Sequence, residues 1–205
     1  MVDRRGVAPE PPYDETITNV DWHGSEPEVP RFTRTRFLGV DLMETVTVGG
    51  FFSECTFRDV KFNASRHERS AFVNCTFEGC NFFDARFVDA KFTGSTFDAC
   101  DFALLHVEGG DWSLAGFSGA KLQKATFTGV RMREADLSFA RCSGATFADC
   151  DLSGSWFQGA DLSRASLLGS DLSGMDPRTT EIEGAFIDER QAVALVETMG
   201  VHVIR

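Results

Sequence analysis

The chain has 205 residues, a formal net charge of −11, and 42% apolar and 12% aromatic residues. That length suits one domain plus tails, and no apolar run approaches a membrane span. The first residues lack the apolar stretch of a secretory signal, so a cytoplasmic location is expected, and the acid excess argues against direct nucleic-acid binding and for basic partners.

Residues 1–30 carry Pro9, Pro11 and Pro12 with seven acids and two bases. They are predicted to form an extension that either caps the first coil of the domain or is disordered. One stray repeat-like stretch, Val20-Asp21-Trp22-His23-Gly24, lies within it.

From Phe32 to Leu172 every fifth residue follows one register. Of its 29 positions, 16 are Phe and 7 are Leu. The residue two places earlier is small, as at Ala85, Ala90, Ser95 and Ala145; only Pro30 and Leu105 break that rule. Glycine gathers two places after the centre, as at Gly79, Gly94 and Gly154. A period of five fits neither a helix nor a flat strand. It fits a coil with four sides of five residues, in which the large and the small residue both point inward and a corner follows each side. Coils stack at strand spacing, so seven of them make a rod roughly 34 Å long. The expected fold is all-β: a quadrilateral parallel β-helix over residues 31–187, with a C-terminal α-helix in 188–205.

Five of the six cysteines (Cys55, Cys75, Cys80, Cys100 and Cys150) take the small position, and Cys142 takes the large one. A metal set or disulfide pairs have no reason to obey a five-residue phase, so buried free thiols are expected. No metal site, cofactor site or catalytic constellation is recognisable, and an enzyme is not expected. His67 occupies a core position inside the polar run Ser65–Ser70. The expectation is a side that bulges or turns its histidine outward, against the alternative of a surface irregularity used in recognition.

After Leu172 the phase falters at Pro177 and returns at Ile182 and Ile187. Asp188 can N-cap a helix that Gly200 ends. Ala192, Val193, Leu195, Val196 and Met199 form its apolar face, and Val201 and Val203 alternate like a short strand. The face serves as a lid on the open coil, as a dimer interface, or as both.

The tandem motif resembles the pentapeptide-repeat family, which implies that the quadrilateral β-helix is right-handed. Gly184-Ala185-Phe186-Ile187-Asp188, followed by Gln191-Ala192-Val193-Ala194 and Gly200, is similar to the C-terminal end of its mycobacterial fluoroquinolone-resistance members. So are Phe52-Ser53-Glu54-Cys55, Ser70-Ala71-Phe72, Asn74-Cys75-Thr76-Phe77 and the stretch Arg131-Met132-Arg133 with Ala135-Asp136-Leu137. The related Qnr proteins carry loops projecting from the coil, for which the unbroken phase here leaves no room. The resemblance implies a homodimeric rod that imitates duplex DNA, binds DNA gyrase, modulates supercoiling and blunts quinolones or natural gyrase poisons.

Charge sets the terms for that reading. Residues 145–189 hold nine acids against Arg164 and Arg178. Duplex DNA would carry roughly 20 charges over such a length, and the rod itself sums to far fewer, so mimicry has to work through chosen patches. The expected acids are Asp149, Asp151, Asp161 and Asp171, with Asp151 and Asp171 stacked on one side. An interaction scaffold unrelated to topoisomerases and a producer's self-immunity factor are the alternatives.

Overall fold

The computed structural model describes residues 12–204. Its backbone is a parallel quadrilateral coil of twenty residues per turn, in which Phe37 pairs with Phe57, Phe57 with Phe77 and Phe77 with Phe97. This is the right-handed quadrilateral β-helix that the repeat and its family resemblance led one to expect.

The five-residue side takes two forms, and threonine or Asp/Asn before its centre marks which one, while arginine occurs in both. Thr56, Thr76, Thr96, Thr126 and Thr146 all lie in strands, where a β-branched side chain fits the extended backbone. Asp and Asn at the same place go with a tight turn. Their carboxylate or amide oxygen accepts the N–H two residues on, as from Met43 to Asp41 (3.0 Å), Phe83 to Asn81 (2.9 Å) and Ser173 to Asp171 (2.8 Å). This is the local bond that makes these residues turn formers.

The four faces differ accordingly, and each is named here by one of its central residues. The Phe37 face carries strands at Glu15–Thr18, Thr35–Leu38, Thr56–Arg58, Thr76–Glu78 and Thr96–Asp98, then continues as turns. The Phe72 face has strands only at Arg31–Thr33, Phe51–Ser53 and Ala71–Val73. The Phe87 face is a six-stranded sheet from Val46–Val48 to Thr146–Ala148. The Phe62 face is turned throughout, its coils joined by single bridges such as Lys61 to Asn81 and Arg141 to Asp161.

Inside, rings stack coil upon coil: Phe37 on Phe57 at 4.7 Å, Phe57 on Phe77 at 4.8 Å, Phe52 on Phe72 at 4.7 Å and Phe72 on Phe92 at 4.6 Å. The core rung therefore repeats at the strand spacing. Gly110, with φ +87°, is irreplaceable: a Cβ there would sit 2.0 Å from the Ala90 carbonyl oxygen. All six cysteines are free; five are buried and Cys100 is partly exposed.

Three expectations need correction. The coil does not start at residue 31. Glu15–Thr18 pairs in register with Thr35–Leu38, and Trp22 packs on Phe32 and Phe37, so residues 12–30 already supply coil; residues 1–11 lie outside the described part. His67 neither bulges nor turns outward. It keeps register between Thr47 and Phe87 and is 1% exposed, because its ring atoms find partners inside: Nδ1 lies 2.6 Å from Thr47 Oγ1 and Nε2 lies 3.0 Å from Ser65 Oγ. Residues 201–204 form no strand.

Candidate functional site: the acidic end and the terminal helix

The helix spans Glu189–Thr198 and starts with a complete capping box. Asp188 accepts the Gln191 N–H at 3.0 Å, and the Gln191 side chain accepts the Asp188 N–H at 2.7 Å. That bond from Gln191 holds the Asp188 carboxyl below its ordinary range. Gln191 does more. Its amide donates to the carbonyl of Leu167 (2.5 Å), which also accepts the Ser170 N–H, and to that of Ser170 (2.7 Å), the acceptor that a further coil would otherwise meet. Leu195, one turn on, is 5% exposed and joins the core cluster.

The helix face expected from sequence is therefore divided. Leu195 seals the coil, with Ala192 and Val193 half-buried beside it. Val196 and Met199 face away from the coil, and Val201, Val203 and Ile204 extend that exposed apolar strip. Trp156, Leu168 and Phe186 are also exposed near this end. Sequence reasoning missed them, although each is a bulky apolar residue at an outward place of its five-residue side.

The four chosen acids occupy three faces. Asp151 and Asp171 are bridged partners on the Phe72 face, as their spacing of one coil required. Asp161 lies on the Phe62 face, bridged to Arg141 on one side and Glu181 on the other. Asp149 sits at a corner after the Phe87 face with φ +53°, a left-handed conformation that Asp tolerates. Asp151 is not a free carboxylate: Arg133 Nε donates to it at 2.5 Å, and Ser153 donates from both backbone and side chain. Partial burial works against its ionisation, but the bonds from Ser153 and Arg133 prevail and hold its carboxyl low. Asp161 and Asp171 make no ion pair among the described residues, and Glu181 and Glu183 extend the acidic surface above Asp161.

Asp151, Asp161 and Asp171 are also turn residues, each accepting the N–H of the serine two places on. Replacing Asp161 by Ala is expected to cost about 1 kcal/mol in urea unfolding, whereas Asp161→Asn should leave stability nearly unchanged, since Asn81 already fills this role. Equal losses in both variants would show that charge, and not the turn bond, stabilises this place.

No helix among the described residues is long and apolar enough to cross a membrane, and no group of three or more His, Cys, Asp or Glu among them is placed to hold a metal.

The sequence model for pentapeptide repeats matches residues 68–102, 115–154 and 145–176 in eight copies. No curated protein matches the sequence. Two trypsin-treated forms of QnrB1, a plasmid-mediated fluoroquinolone resistance protein, superpose with TM-scores of 0.58 and 0.60. Each is 20% identical, and the match covers 91% and 93% of this chain and 100% of theirs. HetL, a pentapeptide-repeat protein involved in heterocyst differentiation regulation in the cyanobacterium Nostoc, aligns over 85% of this chain and 84% of its own at 19% identity, with a TM-score of 0.48. With eight repeats matched in sequence, residues 68–102 and 115–176 belong to the pentapeptide-repeat family.

Proposed function

We propose that this protein is a binding protein, not an enzyme, that works in the cytoplasm as a homodimeric DNA mimic, engages DNA gyrase and lessens the effect of quinolones or natural gyrase poisons. The observation that carries this reading is the pairing of two features at one end of the rod. Carboxylates that make no ion pair among the described residues (half-buried Asp161 and exposed Asp171) stand in the last coils, and at the same end of the chain Val196 and Met199 form an apolar strip that the described residues leave exposed. Joining two copies through that strip would merge their acidic ends into one longer surface, suited to a protein groove built for phosphates. The superposition on QnrB1 supports a rod of the right kind.

A supercoiling assay with purified gyrase tests the reading. The protein should inhibit supercoiling and reduce quinolone-stabilised cleavage at micromolar concentration. Asp161→Asn with Asp171→Asn should weaken both effects about tenfold while keeping the fold. No effect of the wild-type protein would reject gyrase as the partner.

One observation favours a scaffold for a different protein. Asp151 is neutralised by Arg133, and the remaining acids are spread over three faces, which thins any imitation of DNA. Under that reading the gyrase assay is silent, whatever the acids.

A further inference from the structure

The N-terminal mouth of the coil opens into a cavity of about 280 Å³. Its origin is legible in the repeat. On the Phe87 face, the first two central positions hold Pro27 and Thr47, where the next two coils place the rings of His67 and Phe87. The missing ring volume is left as space between the ring stacks of the neighbouring faces. The walls are aromatic and aliphatic: Trp22, Phe32, Phe37, Leu42 and Phe52. Trp22 and Phe32 are only partly buried, so the mouth reaches solvent.

The described start of the chain does not close this mouth. Tyr13 leans inward along the rod, its hydroxyl 2.6 Å from Thr56 Oγ1, with the Arg36 guanidinium 4.4 Å over its ring. Asp14 pairs with Arg34 at 2.6 Å. Residues 13 and 14 thus run along the outside of the Phe37 face.

We propose that this cavity is a binding site for a small, flat aromatic molecule that carries no negative charge. Size, lining and charge each narrow the class. A cavity of roughly 150 Å³ walled by Leu, Ile and Phe takes up benzene, so the larger space here suits two fused rings. The polar groups on the lining, Thr47 Oγ1 and His67 Nδ1, are bonded to each other at 2.6 Å, so the interior asks for shape and not for hydrogen bonds. Among the described residues Glu28 is the only charged one on the lining; it disfavours an anion and favours an amine on the ligand's outer edge.

The test uses the full chain labelled with 15N and the side-chain N–H signals of its three tryptophans. Indole, tryptamine and indole-3-acetate are titrated separately. Indole and tryptamine should shift the Trp22 signal saturably, leaving those of buried Trp112 and distant Trp156 in place. Indole-3-acetate should bind at least tenfold more weakly. Thr47→Phe, which restores the repeat and fills the space, should abolish the shift; should it fail to keep the Trp112 signal, Thr47→Leu takes its place. The proposal is overturned by no saturable Trp22 shift, by equal shifts at all three tryptophans, by equal binding of the anion, or by binding that survives the filled cavity.

Discussion

Lowering the pH from 7 to 4.5 is expected to remove about 3 kcal/mol of stability through His67 alone. The ring is sealed between Thr47 and Phe87, and burial pushes its pKa down to about 3 from 6.5. The direction follows from which state takes the proton. Above pH 6.5 the imidazole is neutral both folded and unfolded, and stability is complete. Below 6.5 the unfolded chain binds a proton that the folded coil refuses, so stability falls until the pH passes about 3. Urea unfolding of the wild type and of His67→Phe at both pH values checks this. The variant continues the ring stack of Phe87 and loses the bonds to Thr47 and Ser65, so at pH 7 it should lie within about 2 kcal/mol of the wild type. Its loss on acidification should be smaller by about 3 kcal/mol. Carboxylates held low, such as Asp151 and Asp188, weaken both proteins alike as they protonate and cancel in the comparison. Parallel pH dependence in the two proteins would mean that His67 reaches water in the folded state.

The second large effect separates lid from interface. Leu195→Asp should destabilise the protein by about 3 kcal/mol or more, because it places a charge in the seal over the last coil. Val196→Asp with Met199→Asp should change stability by no more than about 1 kcal/mol, since both side chains point to solvent. In sedimentation the wild type should run as a dimer, as proposed, and the double variant as a monomer at the same concentration. A double variant that stays dimeric would move the contact elsewhere, for instance to Trp156, Leu168 and Phe186. A Leu195→Asp protein of unchanged stability would show that the helix contributes nothing to closing the coil.

The fold was legible because the five-residue beat is a direct record of packing: Phe57, Phe77 and Phe97 are spaced by one coil and end as one stack. The helix was legible for an equally local reason, since Asp188 and Gln191 stand three apart as a capping box needs. What sequence concealed was non-local. That His67 stays inside depends on Thr47, one coil earlier, offering it an oxygen. That Asp151 is neutralised depends on Arg133 reaching it from the coil before. The acids were harder to read than the core because one residue type serves two ends. An Asp ahead of the central residue closes a turn whether or not any partner recognises it, so its frequency in the last coils is part local geometry and part surface charge.

The bond from Gln191 to the Ser170 carbonyl bears on how long this object can be. Each coil offers the next a ladder of acceptors nearly identical to the one it received, and nothing in the repeat itself specifies a final rung. A stack of that kind grows head to tail into a fibre if its last rung is left bare. The glutamine amide and Leu195 cover that rung with groups that offer no further ladder. The helix is thus a terminator, and it makes a periodic chain a finite molecule.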